Sequence, residues 1–218
     1  QQPGQQHRQQ HRAGVFGFLA MLLRRKLHET PVFAELQQRR ALAAELPLKT
    51  VLREHAGAVL LAMLLTWLLT AAVVVNLLMM PTLLQGLGVS RADALAGNTL
   101  AICATVIANL VAGWMADRFG AGRVLVLWSV LLGTAFWTFY SGALAGAYSP
   151  ALYVIAGFGV GVTALVPAIA VSGFPAQVRF SGLSFSYNVA YAIAGGLTPI
   201  LLSLAIKDDP AAPIQYIV

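Results

Sequence analysis

The chain alternates long apolar stretches with short polar ones. Four stretches carry no Asp, Glu, Lys, Arg or His: Ala56 to Ser90, Ala94 to Ala116, Val124 to Val178 and Phe180 to Ile206. The third is 55 residues long. A helix crosses the hydrocarbon core in about 20 residues, so this stretch holds two crossings and a turn. The turn falls at Gly146-Ala147-Tyr148-Ser149-Pro150, a cluster of residues that break regular structure. Inside lipid the backbone must satisfy its own hydrogen bonds, which makes the crossings helical. The pattern predicts five complete membrane helices, near 57–84, 94–116, 124–145, 151–174 and 181–206. The fold class is therefore all-α and integral to a membrane. Ala13 to Leu23 is an apolar run of 11 residues, too short to span alone, and reads as the truncated end of a further helix. Pro213 to Val218 reads as the start of another.

Composition agrees with the pattern. Hydrophobic residues make up 58% of the chain and charged ones 10%, well under the quarter or so usual for a soluble domain. The net charge of +6 sits in loops, so it reports orientation and gives no reason to expect nucleic acid as a partner. The segment 24–55 carries Arg24, Arg25, Lys26, Arg39, Arg40, Lys49 and Arg53. Alternation of the loops puts Arg118, Arg123 and Arg179 on the same side, and only Arg91 and Lys207 on the other. This positive-inside bias predicts a cytoplasmic 24–55 loop in a multi-pass protein of the cell's inner (plasma) membrane. The expected plan is a low-complexity tail at 1–12, the truncated helix at 13–23, the loop at 24–55, the bundle at 56–206, and an outer loop with a beginning helix at 207–218. The N-terminus lacks a cleavage pattern of the signal-peptide kind. Cys103 is the one cysteine.

Few residues offer chemistry. His7 and His11 stand at i and i+4, but within a tandem Gln-Gln-His-Arg repeat, which reads as low complexity and not as a metal site. No span holds a nucleophile–base pair or a ligand cluster, so neither an enzyme nor a cofactor is expected. Thr30-Pro31 suits the start of a short amphipathic helix in the loop, with Thr as N-cap and Pro in the first turn. Between the second and third spans stand Gly113, Asp117, Arg118, Gly120 and Arg123. Gly113 is expected to admit a close helix neighbour. Asp117 opposes the dipole of its own helix and needs a partner. Candidates are Arg118, Arg179 or the N-terminus of the span at 181, in a polar lock that holds one conformation and releases in another. The alternative is a plain positive-inside anchor.

Helical spacing places Ser184, Tyr187, Asn188, Tyr191, Gly195 and Thr198 along one side of the last span. Asn98, Thr105 and Asn109 share a face of the second. Polar groups in a lipid-surrounded helix turn toward a cavity or a neighbour. Tyr187, Asn188 and Tyr191, with Ser184, read as cavity-lining, just before a Gly195-Gly196-x-x-Pro199 break. Asn98 is a cavity candidate for which hydrogen-bonded helix contact is the competing reading, and Asn76, near Pro81, is a candidate at a second break. Gly157, Gly159, Gly161 and Pro167 of the fourth span fit either a gate or tight packing. No carboxylate, histidine or basic side chain lies inside any of these spans, so a proton-relaying residue is expected outside them.

The motif Gly113-x-x-x-Asp117-Arg118-x-Gly120 resembles the signature loop of the major facilitator superfamily, in the copy found in its second half. Ala121 and Gly122 stand where that family has basic residues. Arg24-Arg25-Lys26-Leu27-His28-Glu29-Thr30-Pro31-Val32-Phe33 is similar to the central loop of the metabolite:proton symporter family, of the shikimate, α-ketoglutarate, citrate and proline-betaine type. Phe174-Pro175-Ala176-Gln177-Val178-Arg179 through Gly195-Gly196-Leu197-Thr198-Pro199 resembles that family's eleventh helix and its entry. The resemblance implies that the five spans are helices seven to eleven of a twelve-helix bundle, its carboxy-terminal half. It further implies proton-driven transport of a small polar metabolite, an organic acid or betaine-like solute, together with a missing amino-terminal half. The alternative is a truncated, non-transporting membrane protein or scaffold.

Overall fold

A computed structural model of the chain describes residues 47–218. The tandem repeat, the apolar run at 13–23 and the helix expected after Thr30 lie outside the described residues. Among the described residues seven helices follow one another: α1 (Pro47–Glu54), α2 (Ala56–Gly86), α3 (Arg91–Phe119), α4 (Ala121–Leu144), α5 (Pro150–Ser172), α6 (Arg179–Asp208) and α7 (Ala212–Ile217). α2 to α6 are each long and apolar enough to cross a membrane. They match the five expected spans and extend most of them by a few residues, because helices continue past the hydrocarbon into polar flanks.

Local chemistry sets the boundaries. The Ser90 hydroxyl accepts from the Asp93 amide at 3.1 Å and donates to the Asp93 carboxylate at 2.7 Å, which satisfies exposed groups at the start of α3. Ser149 caps α5, with Pro150 in its first turn. Gly120 separates α3 from α4 with φ of 90°, a conformation open to glycine and strained for other residues. Gly146 does the same in the turn after α4, at φ 77°.

α5 is the central helix of the bundle, in contact with α2, α3 and α4, while α6 packs along α2 and α1. In lipid there is no hydrophobic drive between helices, so close packing of small residues carries association. α3 buries only small side chains: Ala94, Gly97, Ala101, Ala104, Thr105, Ala108 and Ala112. α5 answers with Gly157, where an added Cβ would fall 2.5 Å from the Ala101 carbonyl, and Gly161, where it would fall 2.6 Å from the Ala108 methyl. Gly159 faces the other way, 2.7 Å from the Leu132 Cα of α4. Between the two readings of these glycines, the geometry shows tight packing.

Two of the spans are irregular where the sequence places proline. α2 widens to a π-helical turn over Val74–Met79, because Pro81 cannot donate to the carbonyl of Leu77 and its ring crowds it. α5 tightens to a 3₁₀ turn over Val160–Ala164, just before Pro167. By contrast, α6 runs through Pro199 as one helix from Arg179 to Asp208. The break expected at Gly195-Gly196-x-x-Pro199 is therefore absent, and the helix tolerates the unpaired Gly195 carbonyl as membrane helices commonly do.

Candidate functional site

The expected polar face of α6 divides into two parts. Thr198 is buried, and its hydroxyl lies 2.6 Å from the Tyr216 hydroxyl of α7. Ser184 and Tyr187 are half-buried, while Asn188 and Tyr191 are exposed. The Tyr187 and Tyr191 rings stack, with centroids 5.8 Å apart and planes 11° from parallel. Asn188 donates its amide hydrogen to the Ser184 carbonyl at 2.7 Å. Tyr187 also packs against Leu65, Leu69 and Val166, which ties this flank to α2 and α5. The opposite flank of α6 is apolar: Ala190, Ile193 and Ala194 form a groove with Leu60, Met63, Leu64 and Trp67 of α2. Tyr, Asn, Ser and Gly positions thus lie on one side of the buried stripe of α6, and aliphatic positions on the other.

Asn98, half-buried, and Asn76, buried, belong to a separate array. Asn76 lies in the π-helical turn, fully buried, and donates to the Ala156 carbonyl of α5 at 3.1 Å. The Tyr153 hydroxyl lies 2.6 Å from the Asn98 side-chain oxygen and 2.9 Å from the Asn76 main-chain carbonyl oxygen, and its one hydrogen is shared between these two acceptors. Asn98 is thereby held between α3 and α5. The same holds for Thr105, which donates to the Gly157 carbonyl at 2.7 Å, and for Asn109, which accepts from Thr163 at 3.1 Å. Tyr153, which joins α2, α3 and α5, is not singled out by the sequence, since a lone tyrosine in an apolar run carries no spacing signal.

The motif at the end of α3 lies at the basic end of the bundle. Asp117, Arg118, Gly120 and Arg123 are all exposed. Among the described residues Asp117 makes no ion pair, and Arg179 instead donates from Nε to the Phe174 carbonyl at 3.1 Å. Gly113 does not admit a close neighbour: an added Cβ there meets nothing within 4 Å among the described residues. The close approach expected at Gly113 occurs further into the membrane, where Ala108 meets Gly161.

A bundle of membrane helices with a polar flank on one inner helix, irregular turns at two prolines and a Gly-x-x-x-Asp-Arg-x-Gly loop describes a polytopic membrane protein of the facilitator type. The sequence profile of the Major Facilitator Superfamily matches residues 13–199, and the chain belongs to that superfamily. It is 30% identical over 203 residues to the inner membrane metabolite transport protein YhjE of Escherichia coli strain K12, covering 87% of this chain and 45% of that protein. It is 30% identical over 211 residues to the citrate-proton symporter of Klebsiella pneumoniae, covering 91% and 47%. It is 27% identical over 221 residues to the ectoine/proline transporter ProP of Corynebacterium glutamicum, covering 92% and 43%. The chain spans about half the length of the curated relatives it matches. No solved structure is a significant match.

Proposed function

We propose that this chain forms the carboxy-terminal half of a secondary transporter that moves a small polar metabolite by alternating access. The observation that carries the reading is the polar flank of α6, where the half-buried Tyr187 stands beside the exposed Asn188 and Tyr191. Such groups in a membrane helix belong to a substrate path, and in transporters built from repeats that path runs between the two halves. Ser184 contributes by holding the Asn188 amide; Asn76 and Asn98 support the helices behind. The matched relatives are named as transporters or symporters, and their double length fits a partner half. The uneven burial of the spans also favours a partner. α3 and α6 each bury 22% of their most apolar window, against 56% for α2, so both leave broad faces for another surface.

Proton coupling is part of this reading, with the titrating group outside the described spans, whose interiors carry no carboxylate, histidine or basic side chain. The basic end, with Arg118, Arg123 and Arg179, is assigned to the cytoplasm by the positive-inside bias. The test is uptake of labelled citrate, proline and glycine betaine into proteoliposomes that hold the protein as its source cell makes it. Asn188→Ala is expected to lower uptake of the accepted solute severalfold while membrane abundance holds. Wild-type kinetics in that variant would remove Asn188 from the path.

A further inference from the structure

We propose that the oxygens of Asn76, Asn98 and Tyr153 form a binding site for a small monovalent cation, of which sodium fits best. The site lies between α2, α3 and α5, apart from the α6 flank, and does not depend on the transport reading. The first observation is the Asn76 side-chain oxygen, which is buried and has no hydrogen-bond partner among the described residues. The amide nitrogen of the same side chain is engaged with the Ala156 carbonyl at 3.1 Å. A buried acceptor without a donor is rare in folded proteins and calls for a water or an ion.

The second observation is the main chain of the same residue. In a π-helical turn each carbonyl accepts from the amide five residues on. For Asn76 that residue is Pro81, which has no N–H. The Asn76 carbonyl therefore depends on Tyr153, whose hydroxyl lies 2.9 Å from it and 2.6 Å from the Asn98 side-chain oxygen. One phenol hydrogen is shared by these two oxygens, and no described donor reaches the Asn76 side-chain oxygen. Asn76 and Asn98 thus contribute three carbonyl-type oxygens to this junction, and Tyr153 a single donor hydrogen.

A junction rich in acceptors and poor in donors is the chemistry of a hard cation. Unwound backbone carbonyls in broken membrane helices coordinate sodium in this way, and the widened turn of α2 is such a break. The charge of the ion follows from its ligands. All are neutral, and the stretches 56–90, 94–116 and 124–178 hold no carboxylate. A divalent ion would stay uncompensated there, in a setting where charge is expensive. The size of the ion follows from packing. Gly157 directly follows Ala156 and lies against Ala101 at backbone distance, which leaves room for a small ion. Asn98 is half-buried, so the junction has one accessible edge on α3. An ion held there ties the widened turn of α2 to α3 and α5.

The experiment uses the protein as its source cell makes it, purified in detergent. Its thermal unfolding midpoint is read in sodium, potassium or choline chloride at equal ionic strength. A ligand that binds only the folded state raises the midpoint with its concentration. Sodium is expected to raise it saturably by several degrees over choline, with potassium well below sodium. Tyr153→Phe removes the phenol oxygen and keeps the ring stacked on Phe139, with centroids 4.6 Å apart. Asn98→Ala removes an oxygen at the accessible edge. Each is expected to raise the half-saturating sodium concentration about tenfold, whatever its midpoint in choline. A parent midpoint equal in sodium and choline would overturn the site and leave the buried acceptor to a water molecule. The same half-saturation in the parent and both variants would place the ion elsewhere and overturn it too.

Discussion

Single residues in this bundle act by being small. The stripe Ala94, Gly97, Ala101, Ala104, Ala108 and Ala112 lets α3 lie against α5 at backbone distance. Close approach increases dispersion contacts where the solvent is itself apolar, so the absence of side chain is the stabilising feature. Gly157→Leu sets a side chain where even a Cβ would fall 2.5 Å from the Ala101 carbonyl. Backbone cannot swing away as a side-chain tip can. We expect a loss of roughly 3 kcal/mol or more, at or above the usual cost of overpacking, read as a lowered unfolding midpoint in detergent. Gly196→Ala, facing open space among the described residues, serves as the control and should shift the midpoint little. Asn76 shows the opposite principle. Its amide nitrogen is paired, but its side-chain oxygen is buried and has no partner among the described residues, and an orphaned acceptor of this kind costs about 1–3 kcal/mol. Turning the amide over would set its oxygen against the Ala156 carbonyl, so the orientation seen is the better of the two.

At the scale of elements, three prolines in three spans have three outcomes. Pro81 accompanies a π-helical turn, Pro167 follows a 3₁₀ turn, and Pro199 leaves α6 regular. Each removes one backbone donor, and the surroundings decide how the helix adjusts. Asn76, inside the widened turn of α2, donates across to α5; Thr163, inside the tightened turn of α5, donates across to α3. The irregular turns are thus places where side chains of one span reach another. Pro167→Ala restores a donor toward the Thr163 carbonyl and should favour regular α-helix over 160–164. The expected result is slower hydrogen exchange at those amides, with an unchanged or slightly raised unfolding midpoint. Unaltered exchange would show that the turn is imposed by packing of Gly159 and Gly161 alone.

For the whole molecule, the exposed motif at the basic end bears on conformational balance. Asp117 lies at the C-terminal end of α3, where its charge opposes the helix dipole, and no ion pair relieves it among the described residues. If its partner is supplied in another conformation, Asp117→Asn should shift the balance between inward- and outward-facing forms. Cysteine accessibility measures this, after Cys103→Ser removes the exposed native thiol on α3. Labelling at a reporter on the α6 flank, such as Ser184→Cys, should change severalfold when Asp117→Asn is added to the reporter protein. Equal labelling with and without that substitution would reduce the motif to an anchor and a turn, the role that Gly120 with its φ of 90° already fills.

The sequence by itself determined the number of spans and their limits to within a few residues. Hydrocarbon thickness fixes helix length, and uninterrupted apolar runs are visible without any knowledge of contacts. It also determined the superfamily, through the Gly-x-x-x-Asp-Arg-x-Gly spacing and the residues of the last span. It did not determine which polar residues face outward. Ser184, Tyr187, Asn188, Tyr191 and Thr198 share one helical side, yet Thr198 is covered by α7 and Asn188 is exposed. Asn98 and Asn109 share a polar face of their helix, for which contact with a neighbour competes with a cavity, and the approach of α5 engages them in hydrogen bonds. Periodicity gives the direction of a side chain about its own axis; what stands opposite is decided by the packing of other helices. The same reason separates Gly113, which meets nothing among the described residues, from Gly157 and Gly161, which meet α3 at backbone distance.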